Sequence, residues 1–287
     1  DADFSKWRTK IASIFVIVVP MLLVFLQNDT GSALVFASFV FVLFREGLSA
    51  YVLVFGAALI VLFVSALLID KYILVAILFA LCLVAWLVIK RKSHRTKVWL
   101  FLVCFLISSA VVFAVDVVFD KGLEQHQKDR IEVLLGKKED LKGVGYNVNQ
   151  SKIAIGSGGF VGKGFLNGTQ TKYNFVPEQD TDFIFCTIGE EWGFIGSSIT
   201  IILFLTLCIR LVKMAERQRS KFARIYGYGV ASIIFFHFFV NIGMTIGLLP
   251  VIGIPLPFIS YGGSSLWAFT LLLFIFIRQD ASRLELI

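Results

Sequence analysis

The segment Phe175-Val176-Pro177-Glu178-Gln179-Asp180-Thr181-Asp182-Phe183-Ile184-Phe185 places a carboxylate, Asp182, where a long polar loop enters an apolar stretch. An ionisable group at the mouth of a membrane span costs free energy to keep, so a working role is its default reading. The loop ahead of it carries Gln150-Ser151-Lys152-Ile153-Ala154-Ile155-Gly156-Ser157-Gly158-Gly159-Phe160-Val161-Gly162-Lys163-Gly164. Glycines let the backbone approach an anion closely, and Lys152 and Lys163 add charge, a combination suited to phosphorylated or glycosylated substrates. It is not a Walker A loop, because Ser157 occupies the first glycine position and Gly164 stands where Ser or Thr should follow Lys163. A mobile loop accounts for the glycines equally well. The chemistry indicated is a reaction at a membrane surface.

Other polar residues interrupt apolar runs. Gln27-Asn28-Asp29-Thr30-Gly31 separates two of them, and Asp29 there either caps the next helix or faces a polar cavity. Pro250–Ser265 is apolar, yet Pro250, Pro255, Pro257, Gly262 and Gly263 exclude a regular helix. Such backbone at membrane depth needs cover from protein or a wet cavity, so it reads as a re-entrant element lining a cavity, with an ordinary interfacial turn as the alternative. Below Asp182, Gly189, Gly193 and Gly196 form a small-residue stripe on which another helix can pack. Glu190 falls about 80° around from that stripe and about 12 Å deeper on an ideal helix. Glu190 and Glu191 read as structural and require polar partners, for which Arg210, Asn241 and His237 are candidates. His237 and Asn241 share a helix face, which predicts an interhelical hydrogen bond.

The elements that must position these residues are transmembrane helices. The chain is 57% hydrophobic and only 16% charged, which indicates an all-α polytopic membrane protein rather than a soluble domain. Eight apolar stretches stand out: 11–26, 32–44, 48–68, 72–89, 98–119, 183–212, 225–249 and 264–277. The second is short for a span and the first borderline, so they tilt, recruit flanking residues or fold as a broken pair. Three segments follow: residues 1–119 with five helices, a loop over 120–182, and residues 183–287 with three helices and the Pro/Gly turn. Within the loop, Leu123, Gln127, Ile131, Leu134 and Leu135 recur at helical spacing around Lys128 and Arg130, predicting a short interfacial helix.

Bases gather at one set of ends: Lys6/Arg8/Lys10, Arg45, Lys90/Arg91/Lys92/Arg95/Lys97, Arg210/Lys213/Arg217/Arg219/Lys221/Arg224 and Arg278/Arg283. The positive-inside rule then puts both termini in the cytoplasm and the long loop outside. The net charge of +7 reads as that bias and not as a nucleic-acid surface. The four cysteines, Cys82, Cys104, Cys186 and Cys208, lie in apolar helices without a CxxC pair and read as small buried hydrophobes. The opening Asp1-Ala2-Asp3, without Met or signal peptide, predicts a fragment or trimmed chain.

Taken together, Gln150–Gly164, Asn167-Gly168-Thr169-Gln170, Pro177–Phe185, Gly189-Glu190-Glu191-Trp192-Gly193, Asn241-Ile242-Gly243-Met244 and Pro250–Ser265 resemble, in order, the SEDS glycosyltransferases of bacterial cell-wall synthesis. Gly162-Lys163-Gly164 and Gly168-Thr169-Gln170 are closer to the RodA-like elongation branch than to the division branch. Gln27–Gly31 is similar to the family's Gln-Pro-Asp-Leu-Gly motif, with Asn28 and Thr30 replacing Pro and Leu. Two departures stand out. About four N-terminal spans usual in the branch have no counterpart here, and 72–89 with 98–119 resemble an inserted helix pair.

The resemblance implies polymerisation of lipid II into glycan strands on the outer face of the bacterial cytoplasmic membrane. It matches Asp182 to the family's essential aspartate, as a general base or a ligand of a divalent cation such as Mg or Mn. Lys152, Lys163 and Arg130 are then candidates for binding pyrophosphate, or else touch lipid headgroups. Gln150, Ser157, Glu178, Ser260, Gly262 and Gly263 are further substrate contacts. Gln27, Asp29, Glu190, Glu191, Asn241 and Pro257 shape the groove. Implied partners are a class B penicillin-binding protein, the rod-shape complex and membrane lipids, with no nucleic acid. A lipid flippase or transporter, and a non-catalytic scaffold derived from the family, are the alternative readings.

Overall fold

The computed structural model describes residues 7–92, 98–117, 119, 122–136 and 144–284, and among these no strand occurs. The helices run α1 (Trp7–Phe25), α2 (Thr30–Ala37), α3 (Phe39–Arg45), α4 (Ala50–Leu68), α5 (Lys71–Lys92), α6 (Val98–Val117), α7 (Gln125–Leu134), α8 (Val144–Ser157), α9 (Thr169–Lys172), α10 (Ile184–Glu216), α11 (Lys221–Thr245) and α12 (Gly263–Ala281). The opening Asp1-Ala2-Asp3, the bases Lys6, Arg95 and Lys97, and the expected loop start at Asp120 lie outside the described residues.

All-helical structure is what hydrocarbon demands, since each backbone group must be paired within its own segment. Five helical stretches are long and apolar enough to cross a membrane: Trp7–Phe25, Ala50–Leu68, Lys71–Val88, Ile184–Glu216 and Lys221–Thr245. Thr30–Arg45 and Phe101–Val115 are shorter apolar helices. Within the short second stretch the backbone stays helical through the single turn residue Ser38, which is buried and whose amide donates to the Val35 carbonyl at 3.0 Å. The chain is a multi-pass membrane protein.

Packing divides the chain into two units, residues 1–48 with 136–287, and residues 49–135. These boundaries follow contacts, unlike the segments 1–119, 120–182 and 183–287, which followed topology. In the second unit α4, α5 and α6 pack together, with the rings of Phe79 and Phe105 edge-on at 5.5 Å. The amphipathic segment forms α7, whose start is stapled by the Glu124 amide donating to Gln127 Oε1 at 3.2 Å.

In the first unit α11 is the central helix, packing on α10, α12 and α3. Its core includes Leu211, Ile234, Leu256 and Phe276, with Phe204 stacked on Phe238 at 5.0 Å. A second cluster of Ala154, Val176, Phe183 and Cys186 ties α8 to the chain entering α10. At the base-rich end, ion pairs zip the helix ends together. Arg45 pairs with Glu216, Arg224 grips Glu46 through two bonds of 3.0 and 2.9 Å, and Arg217 pairs with Asp280. Asp280 lies past the apolar part of α12. Arg217 beside it, with Gln218 and Arg283, holds its carboxyl below the usual aspartate range.

Candidate functional site

Non-helical segments converge on Asp182. The chain turns at Glu178, which has a φ of 58°, and the amides of Thr181 and Phe183 donate to the Glu178 carbonyl at 3.2 and 3.0 Å. Asn241, fully buried on α11, then ties two segments together: its Nδ2 donates to the carbonyls of Asp182 and Ile254, both at 2.8 Å. Ser260 Oγ donates to the Thr181 carbonyl at 2.7 Å and accepts from the Leu256 amide at 2.7 Å. The Tyr261 amide donates to the Asp180 carbonyl at 2.8 Å. The Pro250–Gly262 turn is thereby pinned against the acid's own segment. Ile254, Leu256 and Pro257 are buried, the protein cover such backbone requires.

The Asp182 carboxylate itself faces Gly253. A Cβ built at Gly253 would lie 3.3 Å from Asp182 Oδ2, and the glycine's φ of +79° also favours a residue without one. Gly31 closes on the same turn, since its Cβ would meet Ile254 Cγ2 at 2.9 Å and the Ile252 carbonyl at 3.0 Å. Asp29 caps α2 by accepting from the Ser32 amide at 2.9 Å, and Gln27 is exposed beside it. An open cleft of about 270 Å³ borders this region, lined by Asn174, Pro177, Glu178, Asp180, Thr181 and Tyr261.

A second cluster surrounds Glu190, which is fully buried. Its Oε1 accepts from Lys163 Nζ at 2.7 Å, the Thr169 amide at 2.8 Å and the Gln170 amide at 2.9 Å. Its Oε2 accepts from the amide and hydroxyl of Thr171, both at 2.9 Å. Helix α9 is only four residues long, and its free N-terminal amides are satisfied by this carboxylate from another helix. The partners expected for Glu190 were Arg210, Asn241 or His237, and the structure corrects all three. Those residues lie elsewhere on α10 and α11, whereas the loop folds back to bring Lys163 and α9 over the acid. His237 Nδ1 sits 2.9 Å from the Ile233 carbonyl of its own helix, so the expected interhelical bond is made by neither residue of the pair. Asn241 bonds segments flanking the helices instead.

The glycine-rich loop also acquires a structural explanation. Helix α10 breaks at Gly193, which has φ 62° and ψ −156°. The break frees carbonyls and amides that the loop then satisfies. Lys163 and Gly164 amides donate to the Glu190 and Glu191 carbonyls at 3.0 and 2.9 Å, while Phe194 and Ile195 amides donate to Gly159 and Phe160 carbonyls at 3.0 and 3.2 Å. A Cβ at Gly158, Gly162 or Gly193 would collide with backbone of the facing segment. These glycines permit close approach to a helix, where the sequence suggested approach to an anion. The stripe of Gly189, Gly193 and Gly196 is likewise not one continuous face: Gly189 faces Ile155 of α8, and Gly193 is the break.

The remaining candidates are spread out. Lys163 spends its ammonium on Glu190 and on Thr169 Oγ1 at 2.7 Å, leaving one of three donors uncommitted. Lys152 is exposed on α8, with its ammonium lying over Gly247 just past the C-terminus of α11, where the helix dipole favours a cation. Arg130 belongs to the other packing unit, on α7. Gln150 is half-buried on α8, and Ser157 Oγ donates to the Ala154 carbonyl at 2.8 Å. Glu191 is buried, and Gly262 and Gly263 start α12. Three participants went unnoticed in the sequence. Gly253 faces the acid, Tyr261 rims the cleft, and fully buried Ser151 ties α8 to α11 by donating to the Thr245 carbonyl at 2.9 Å. The Gly168-Thr169-Gln170 motif was visible, and only its role as a cap on Glu190 was not.

Residues 74–284 match the FtsW/RodA/SpoVE model, described as a cell cycle protein. The match runs through both helices that resembled an insertion. The chain is 47% identical over 144 residues to the peptidoglycan glycosyltransferase MrdB of Escherichia coli K12, covering 50% of this chain and 39% of that protein. It is 43% identical over 145 residues to the peptidoglycan glycosyltransferase RodA of Treponema pallidum, covering 50% and 34%. The chain thus spans well under half the length of these curated relatives. A solved structure concerned with structural coordination of polymerization and crosslinking by a peptidoglycan synthase complex is similar at a TM-score of 0.63 and 25% identity, over 99% of this chain and 65% of that one.

Proposed function

Because this chain belongs to the FtsW/RodA/SpoVE family of cell cycle proteins, we propose that it is a peptidoglycan glycosyltransferase that polymerises lipid II during cell elongation. The observation that carries the reading is the pinning of the Asp182 segment against the Pro250–Gly262 turn, with Gly253 facing the Asp182 carboxylate and Gly31 packed on that same turn. Asn241 holds the Asp182 carbonyl, Ser260 holds that of Thr181 beside it and Gly253 faces the carboxylate, so the acid is presented from a fixed segment. The names of the relatives from Escherichia coli and Treponema pallidum support the reaction class.

In this reading a sugar hydroxyl attacks an anomeric carbon, and Asp182 accepts the hydroxyl proton. The bond to the lipid pyrophosphate breaks as the new glycosidic bond forms, inverting the anomeric centre without a covalent enzyme intermediate. Lys152 supplies charge for the departing phosphates, with the uncommitted donor of Lys163. Among the described residues no group of three His, Cys, Asp or Glu side chains could hold a metal. A divalent cation at Asp182 would therefore rest on one carboxylate plus water and pyrophosphate oxygens, a donor set that suits Mg, and would neutralise the leaving group. The base-rich ends face the cytoplasm and Asp182 faces outward. A penicillin-binding protein is the expected partner, consistent with the synthase complex to which the fold is similar.

The test is incubation of the purified protein with labelled lipid II, in detergent and in liposomes, with and without a class B penicillin-binding protein. Glycan strands support the proposal. Translocation of lipid II across the liposome bilayer without strands would replace it with transport.

A further inference from the structure

Asn241 and Ser260 hold the Asp182 segment against the Pro250–Gly262 turn. Its other support is Gln179, three residues ahead of the acid. Gln179 Nε2 donates to the Thr171 carbonyl and to Asn174 Oδ1, both at 2.8 Å. Its Oε1 is buried and accepts no hydrogen bond among the described residues. Burying an unpaired oxygen costs free energy, so this side chain is kept for its two donated bonds. An apolar side chain of the same length would fill the space without that cost.

The Thr171 end of this brace is itself anchored. Thr171 is buried, and its amide and hydroxyl both donate to Glu190 Oε2 at 2.9 Å. Glu190 in turn is a fully buried residue of α10. At the other end, Gln179 lies inside the turn that the Thr181 and Phe183 amides close on the Glu178 carbonyl. A chain of hydrogen bonds therefore runs from α10 through Glu190, Thr171 and Gln179 to the backbone that carries Asp182. We propose that Gln179 is a positioning residue for the glycosyl transfer, bracing the Asp182 turn on Thr171 and, through it, on Glu190. This rests on the reading of Asp182 as the base in lipid II polymerisation. Gln179 touches no reacting atom and instead fixes where the carboxylate stands. A displacement of about 1 Å from a productive geometry slows a reaction on the order of 100-fold.

The experiment measures strand synthesis from labelled lipid II by the full chain in liposomes, with a class B penicillin-binding protein present. Rates are taken per folded protein over a range of lipid II concentrations. Gln179→Met keeps the length and removes both donors, so kcat should fall about 10- to 100-fold while KM stays within about twofold. Gln179→Lys keeps donors and dispenses with the orphaned oxygen, so it should recover most of the lost rate. Thr171→Val, which loses one bond to Glu190, should also lower kcat, and combining it with Gln179→Met should cost less than the product of the two effects. Hydrogen exchange at the Thr181 and Phe183 amides follows the turn without activity, and should quicken about tenfold in Gln179→Met, the effect of one lost hydrogen bond. Wild-type kcat in Gln179→Met, a change in KM alone, Gln179→Lys as slow as Gln179→Met, or unchanged exchange would each overturn the brace. No strands from wild type, or strands from Asp182→Asn run alongside, would instead overturn the polymerase reading, with exchange still deciding whether Gln179 holds the turn.

Discussion

Glu190→Gln keeps the shape of the buried side chain and removes its charge. The native carboxylate presents two acceptor oxygens, one to Lys163 and the amides of Thr169 and Gln170, the other to Thr171. Glutamine has a single oxygen. Its cheapest setting keeps that oxygen toward Lys163 and turns its NH2 toward Thr171, leaving the Thr171 amide without an acceptor. One orphaned buried amide costs about 1–3 kcal/mol, and reducing the Lys163 bond from charged to half-charged removes about 1 kcal/mol more. A loss of about 2–4 kcal/mol raises local opening of α9 roughly 30- to 700-fold, at 1.4 kcal/mol per factor of ten. Hydrogen exchange at the amides of Thr169, Gln170 and Thr171 reads this directly, because it reports local opening. Lys163→Met should cost at least as much, about 3–5 kcal/mol, since it removes the hydrogen bonds to Glu190 and Thr169 Oγ1 and leaves the fully buried carboxylate without its cation. The double variant should fall short of the sum of the two. Protection within threefold of wild type in Glu190→Gln, or strict additivity with Lys163→Met, would refute the account of this cluster.

Gly193→Ala should lose about 3 kcal/mol or fail to fold, because its positive φ and the facing Gly162 backbone both exclude a Cβ; Gly156→Ala, with open space around its Cβ, should melt at or above wild type. Asn241→Leu orphans the buried Ile254 carbonyl and removes a donor from the half-buried Asp182 carbonyl, so a fall of about 1–3 kcal/mol is expected by denaturant titration; wild-type stability would contradict the role given to Asn241. The Asp280 carboxyl is depressed in the folded protein by Arg217, so its stabilisation is present above the unfolded aspartate range near pH ~4 and is lost as pH falls through its folded value. Melting temperature should therefore drop more steeply on acidification in wild type than in Arg217→Gln; parallel curves would remove Asp280 as the cause.

Much of the architecture was legible because hydrophobic runs in a membrane protein map almost directly onto helices. The non-helical Pro250–Gly262 turn and the cap at Asp29 both follow from local residue chemistry, namely proline, glycine and a short polar side chain. The partner of Glu190 was not legible. Finding Lys163 requires knowing that the loop folds back onto α10, and that fold-back depends on a helix break at Gly193 which a helical wheel cannot register. The packing role of the glycine-rich loop was hidden for the same reason, since glycine signals a close approach without naming what approaches. Asn241 was read as bonding to a neighbouring helix, whereas its acceptors are the backbones of two irregular segments distant in sequence.

Strand synthesis from lipid II by Asp182→Asn tests the role of this carboxylate. The substitution preserves size and leaves the backbone carbonyl that Asn241 holds. Asp182→Asn should melt as wild type does and make no detectable glycan strands under conditions where wild type polymerises. Strand synthesis by Asp182→Asn at the wild-type rate would contradict that role and move the chemistry away from this carboxylate.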